Sequence, residues 1–243
     1  MPYRYDLHCH TDEGSKCSSF PAKDMVEHYV QLGYSGINIT DHFSGMTPLP
    51  DETPWDERVS YYYDVYLKAR EAGEKAGLSV FFGLEYSLAP DIDHMSQSVG
   101  NDFLLLNITK EMIIANKNDF IYNPAGMYAG IRAAGGFVVH AHPYYNITAL
   151  PEKEHMLPFA RSVDAVEVVN TGRSDDLNRY AREYARMFGL PETAGTDLHS
   201  VNQLTRAGVE TPTPCPTAAD LVAAIRAGRT RLFTIVDGNF QYV

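Results

Sequence analysis

The chain has 243 residues, with 20 basic against 31 acidic side chains and a formal net charge of −11. Hydrophobic residues make up 44% and charged residues 21%, a globular balance that excludes a disordered tail or a fibrous repeat. The acidic excess argues against an extended nucleic-acid partner, which needs clustered Lys and Arg, and no apolar run reaches the ~18–20 residues of a membrane span.

Short β-branched runs alternate with helical patterns along the chain. They predict strands at Tyr3–Cys9, Ser35–Thr40, Leu78–Glu85, Asp102–Ile108, Gly136–Ala141, Asp164–Val169 and Pro191–Thr196. Helices are predicted at Ala22–Leu32, Glu57–Ala76, Pro124–Ala134, Glu152–Ala160, Asp175–Phe188 and Ala218–Ala227. The aromatic face of Tyr61, Tyr62, Tyr63 and Tyr66 reads as packing. Strands such as Phe103–Leu106 and Phe137–Val139 are continuously apolar, which suits a parallel sheet covered by helices. Seven strands alternating with helices predict an α/β fold, barrel-like or doubly wound. The length suits one domain over residues 1–243, since an α/β barrel takes ~250 residues.

Phe43–Asp56 carries three prolines and reads as a long loop beyond the second strand, either a lid or a surface excursion. The N-terminus lacks a basic segment followed by an apolar stretch, so a cytoplasmic protein is expected. Cys9, Cys17 and Cys215 form no disulfide pattern, and the Asn38, Asn107 and Asn146 sequons read as chance. No Gly-rich nucleotide loop is present.

Metal-competent side chains recur at predicted strand ends: His8-Cys9-His10, Asp41-His42, Glu85, His140-Ala141-His142 and Asp197-Leu198-His199. In an extended segment an i, i+2 pair shares one face. Strand ends that converge on one mouth would therefore gather these pairs. Imidazole and carboxylate are ligands for zinc, manganese or iron.

The strings Asp6-Leu7-His8-Cys9-His10-Thr11, Ile39-Thr40-Asp41-His42, Gly83-Leu84-Glu85, Val139-His140-Ala141-His142-Pro143 and Ala194-Gly195-Thr196-Asp197-Leu198-His199-Ser200 resemble, in order, the motifs of the PHP (polymerase and histidinol phosphatase) superfamily. The resemblance spans about residues 5 to 200. It implies a distorted seven-stranded (β/α)7, TIM-like barrel with parallel strands and outer helices, and a metal site at the strand C-termini. It also implies that His8, His10, Glu85 and Asp197 hold one metal, that Glu85 and His142 hold a second, and that His42 and His199 serve a third. Family members with three metals carry another His where this chain has Lys16, and a His at the end of the fourth strand where it has Asn107. One or two divalent ions (Zn, Mn or Fe) are therefore expected.

Other residues have two readings each. His140 is a ligand, a ligand support or a buried structural histidine. His94 and Cys17 are replacement ligands or ordinary loop residues. His28 and His155 read as structural or exposed. Lys16 binds substrate phosphate or is a solvated charge, Arg173 is a cation facing an anionic substrate, and Asp197 or His199 is the proton carrier. The expected function is metal-dependent hydrolysis of a small phosphomonoester or phosphodiester by activated water. The alternatives are amidohydrolase chemistry on the same site and a degenerate metal-binding domain without catalysis. Substrate and oligomeric state stay open.

Overall fold

The computed structural model describes residues 2–89, 91–98, 101–122, 124–145, 162–203 and 205–243. The predicted helix at 152–160, His155 and the Asn146 sequon lie outside them. In chain order the elements are β1 (Tyr3–Cys9), α1 (Ala22–Gln31), β2 (Gly36–Ile39), α2 (Trp55–Ala76), β3 (Ser79–Ser87) and β4 (Asp102–Leu106). Then come α3 (Lys110–Ala115), α4 (Lys117–Tyr122), α5 (Pro124–Ala133), β5 (Phe137–Ala141), β6 (Ala165–Asn170), α6 (Asp175–Phe188) and β7 (Glu192–Gly195). The last four are β8 (Arg206–Thr211), α7 (Ala218–Arg226), β9 (Arg231–Val236) and β10 (Asn239–Tyr242).

Local chemistry sets the helix ends. Ser174 and Thr217 cap α6 and α7 by accepting backbone N–H bonds from Leu177 and Asp220, while Gly77 and Gly189 end α2 and α6 in left-handed conformations. The aromatic face of α2 packs inward as expected, with Tyr62 and Tyr66 buried among core side chains.

All seven predicted strands form, but the sheet they build differs from the expected parallel seven-stranded barrel. Among the described residues it is a ten-stranded mixed sheet in the order β10-β9-β8-β1-β2-β3-β4-β5-β6-β7. β1, β2 and β3 are parallel to one another, as are β5, β6 and β7. β4 runs antiparallel to both β3 and β5, and β8, β9 and β10 form an antiparallel extension.

The sheet curls until its two regions meet on β1. The first half of β1 pairs with β8, Tyr5 opposite Val209. Its second half meets the segment beyond β7: Asp197 N donates to His8 O (2.9 Å), and His10 N donates to Leu198 O (3.0 Å). The ends of β1 and β7 thus lie side by side.

Candidate metal centre

Each strand in the curl delivers one or two polar side chains to the same mouth. β1 supplies His8 and, just past its end, His10; β3 supplies Glu85, which bridges to His42 beyond β2. His142 and Asp197 follow β5 and β7 with φ of 26° and 56°. Such left-handed backbone is uncommon outside glycine and clusters at functional sites.

Glu85 lies at the middle of the cluster. Its Oε2 is 3.1 Å from His42 Nδ1, 3.2 Å from His10 Nε2 and 3.4 Å from His8 Nε2. Its Oε1 is 3.2 Å from His142 Nε2. Asp197 Oδ1 faces His10 Nε2 (3.3 Å), His199 Nδ1 (3.4 Å) and His8 Nε2 (3.5 Å). Its Oδ2 is held by Arg173 Nη2 at 2.8 Å and Asn170 Nδ2 at 3.3 Å.

A metal fits this donor set. His8 Nε2, His10 Nε2, His42 Nδ1 and both Glu85 oxygens are buried and lack an aligned hydrogen-bond partner among the described residues. Orphaned polar atoms at this density would be costly unless they shared something that is missing. Among the described residues four sets place one ligand atom per residue within 4.8 Å of one another: His8, His10 and Glu85; His10, His42 and His199; Glu85, Asp102 and His142; and His8, His142 and Glu167.

The electrostatics call for positive charge. Burial works against a charged His8 or His10, yet the carboxylates outweigh it. Glu167, Asp197 and Glu85 raise His8 well above its ordinary value, and Asp197 with Glu85 lifts His10 to about 9. Burial likewise opposes ionised Glu85 and Asp197, but the surrounding imidazoles, joined at Asp197 by Arg173, hold both well below the carboxylate range. Without a cation the cluster recruits protons instead. At the rim, burial drives His42 down to about 3 and His199 to about 4, leaving neutral imidazoles of the kind metals bind.

Behind the imidazoles lies a layer of acceptors. Glu167 Oε1 is 3.0 Å from His8 Nδ1. Ser15 Oγ is 3.2 Å from His10 Nδ1 and donates to Asp41 Oδ1 at 2.8 Å. Asp41 also accepts from Thr11 N and Oγ1, each at 2.7 Å. His199 Nδ1 lies 2.8 Å from the Asp197 carbonyl.

The predicted residues His8, His10, His42, Glu85, His142, Asp197, His199 and Arg173 therefore come together. A cavity of about 590 Å³ opens over them, walled by Cys17, Met46, Ser87, Asp102, Tyr145 and Arg173 among others. The Gly45–Met46 part of the proline-rich loop forms one side of it. Arg173 lays its guanidinium carbon 3.7 Å from the Tyr145 ring centre. Another cavity, about 530 Å³ beside α2 and β3, gathers Tyr63, Tyr66, Phe81 and Phe82 but none of these ligands.

Several expectations fall elsewhere. The Lys16 side chain is exposed and does not wall the cavity; its backbone N–H binds Met46 O. His94 pairs with Asp91 at the surface (2.7 Å). His28 contacts Arg206 Nη2 at 2.8 Å. Cys17 reaches the cavity wall, but burial and then the Glu85 and Asp197 charges push its thiol up to about 12, which disfavours a thiolate.

His140 does not share a face with His142. It is stacked on Phe103 at 4.9 Å with Tyr184 edge-on at 5.8 Å, because the positive φ of His142 breaks the strand alternation. Asn107 sits at the far end of antiparallel β4, its Nδ2 donating to Gly135 O at 2.8 Å. Asp102 opens β4 at the mouth instead, its Oδ2 3.8 Å from His142 Nδ1. Glu167, missed from the sequence, had one signal, a lone charge inside the apolar run Ala165–Val169.

The profile of the PHP domain family matches residues 6–190, and a family described as PHP-associated matches residues 176–230. No curated protein matches the chain. Among solved structures, a two-domain Bacteroides vulgatus protein containing a predicted PHP-like metal-dependent phosphoesterase is 17% identical, with a TM-score of 0.69. The alignment covers 96% of this chain but 64% of that longer one. PsfC from Pseudomonas syringae is 16% identical with a TM-score of 0.62, covering 97% of this chain and 91% of its own. An amidohydrolase from Chromobacterium violaceum with bound sulfate and no metal is 13% identical with a TM-score of 0.55, covering 93% and 96%. At these identities the likeness is one of fold, whereas the PHP profile spans most of the sequence and takes in four of the five motif strings whole. The chain belongs to the PHP domain family.

Proposed function

We propose that the protein is a metal-dependent phosphoesterase acting on a small phosphomonoester or phosphodiester. The observation that carries the reading is the convergence of His8, His10, His42 and His142 nitrogens on the Glu85 carboxylate at 3.1–3.4 Å, most of them unsatisfied. His8, His10, Glu85 and Asp197 would hold a first cation. His142 and Glu85, with Asp102, would hold a second, and His42 with His199 borders the open side. A divalent ion there supplies an activated water near neutral pH and offsets charge on phosphoryl oxygens.

The chain's own groups do the rest. Arg173, braced by Asp197 and Tyr145, aims a charge-assisted donor at a phosphoryl oxygen entering the cavity. Asp197 has both oxygens engaged, which suits a ligand better than a proton carrier. His199 gives its Nδ1 proton to the Asp197 carbonyl and keeps Nε2 for a ligand or a proton; it is the better candidate for moving one.

One observation favours a second reading. The only cation walling the cavity among the described residues is Arg173, already paired with Asp197, and an uncharged amide would need no more. The deciding experiment incubates protein loaded with Mn²⁺, Zn²⁺ or Fe²⁺ with phosphoester and cyclic-amide panels, with His8→Ala as control. Turnover of phosphoesters, inhibited by inorganic phosphate and lost in His8→Ala, supports the phosphoesterase. Turnover confined to amides overturns it in favour of amidohydrolysis, and no turnover in either panel overturns both.

A further inference from the structure

His8 in β1 and His10 just past its end point their Nε2 atoms at the same place, between Glu85 Oε2 and Asp197 Oδ1. What lies behind them differs. Behind His8 is a carboxylate, Glu167, almost fully buried (1% exposed). Its Oε2 is already occupied by two donors, His142 N at 3.1 Å and Asn170 Nδ2 at 2.8 Å. Only Oε1 is left, and it faces His8 Nδ1 at 3.0 Å. A carboxylate acting as acceptor requires the proton on His8 Nδ1, which leaves the Nε2 lone pair for a cation. Glu167 also lies within ligand range of His8 and His142, but its remaining oxygen faces His8 Nδ1, away from the Nε2 atoms that converge on Glu85, so it serves a ligand without being one.

Behind His10 is a neutral hydroxyl. The Ser15 proton goes to Asp41 Oδ1 (2.8 Å), and Ser15 Oγ already accepts from His42 N (3.0 Å). Toward His10 it can only accept, so His10 also carries its proton on Nδ1. The tautomer is the same, but the partner behind Nδ1 is uncharged. Room for the Glu167 pair is left by Gly195, where a Cβ would come within 2.5 Å of His8 Cβ and 2.6 Å of Glu167 Oε1.

We propose that Glu167 is a positioning residue that fixes the His8 proton on Nδ1 and makes His8 the stronger of the two imidazole ligands. The cation follows from the hydrolase reading; the position of the proton does not. A carboxylate behind a ligating histidine raises its donor strength, and removing such a partner costs about 10- to 100-fold in metal affinity.

Glu167→Gln tests this sharply. The His142 and Asn170 donors demand an acceptor, so the Gln carbonyl oxygen takes the Oε2 place and its NH₂ is turned toward His8 Nδ1. The His8 proton must then move to Nε2, into the position reserved for the cation. Long-range ¹⁵N–¹H spectra of histidine-labelled protein, recorded without metal at a pH high enough to leave both imidazoles neutral, report which nitrogen carries the proton. Titration with Zn²⁺ or Mn²⁺ alone reports affinity for the first equivalent.

The expected result is a proton on Nδ1 of His8 and of His10 in the wild type. In Glu167→Gln it leaves Nδ1 of His8 alone, and the first equivalent binds about 10- to 100-fold more weakly. In Ser15→Ala the His8 proton stays on Nδ1 and affinity falls less. A wild-type His8 without a proton on Nδ1 overturns the proposal even if the variant fails to fold. So does a Glu167→Gln protein with unchanged tautomer and affinity. Wild-type protein that binds neither metal sinks the hydrolase reading instead, and the proton on His8 then decides the positioning role by itself.

Discussion

The Tyr29 hydroxyl of α1 donates to Asp6 Oδ2 across 2.6 Å inside the core. The same carboxylate accepts from Thr196 N at 3.0 Å and from the Thr196 hydroxyl, so one buried acid joins α1, β1 and the segment that carries Asp197. Tyr29→Phe removes a donor from a buried charge without removing the ring, at a cost of roughly 1–3 kcal/mol. Urea unfolding of the variant should show that loss with an unchanged slope, while the Thr196 bonds keep the metal stoichiometry at the wild-type value. An unchanged midpoint would mean that Tyr29 is packing only.

At the mouth, the exchange of Asn107 for Asp102 makes a second prediction. Asp102 is mostly buried and walls the cavity, whereas Asn107 is at the opposite end of β4 with φ of 52°. Asn107→Gly suits that backbone and should leave metal content and turnover unchanged, losing about 1 kcal/mol for the bond to Gly135. Asp102→Asn should lower occupancy of the second metal position and leave the first. Metal analysis and thermal melts of both variants separate the two ends of the strand.

That exchange also shows what sequence could and could not convey. The runs that became β2 to β6 are mostly apolar, short and bounded, and those of β1 and β7 end on His and Asp motifs, so their existence was legible, and the His and carboxylate positions at their ends followed. The direction of Phe103–Leu106 was not, because an all-apolar run reads the same both ways; only pairing with β3 and β5 turns Asp102 to the mouth. β8 hid because Arg206–Thr211 is short, carries charges at Arg206 and Glu210 and is interrupted by Gly208, whose missing side chain is what lets it lie against Tyr5. Leu232–Ile235 in β9 is apolar but for Thr234 and could have been read. Glu167 and Ser15 were out of reach, since their meaning depends on which imidazole folds in front of them.

Glu85 is the group that His8, His10, His42 and His142 all face, so its charge should matter most. Removal of an outer partner of a metal ligand already costs about 10- to 100-fold, and Glu85→Gln should exceed the upper figure in kcat. Bound metal should fall by at least one equivalent, since the positions flanking Glu85 share its oxygens. Circular dichroism would check that the fold persists. Full metal content in a folded Glu85→Gln would remove Glu85 from the centre of the site.

Chelation should be felt in stability as well as activity. The orphaned His8, His10, His42 and Glu85 atoms are organised only in the folded chain, so a cation that binds them binds the folded state. At about 100 times its Kd a ligand adds ~2.7 kcal/mol, equivalent to roughly 5–10 °C in Tm for a chain of this size. Treatment with a chelator should lower Tm by that amount, and restored Mn²⁺ or Zn²⁺ should return it. The shift should be absent in His8→Ala.

Arg173 separates substrate binding from metal binding. Its guanidinium is paired with Asp197 at 2.8 Å and stacked on Tyr145 at 3.7 Å, and its Nε has no hydrogen-bond partner among the described residues. Arg173→Lys keeps a charge beside Asp197 but loses the planar fork and the stacking. A charge-assisted hydrogen bond to a phosphoryl oxygen is worth about 1.5–3 kcal/mol, so kcat/KM should fall roughly 10- to 150-fold, at 1.4 kcal/mol per tenfold. Inorganic phosphate should inhibit the variant more weakly by a similar factor, with bound metal unchanged. If Arg173 served only to hold Asp197, the lysine would weaken metal binding and leave the phosphate inhibition of the metal-saturated enzyme as it was. Measuring both quantities on one preparation tells an arginine that meets substrate from one that only steadies a ligand.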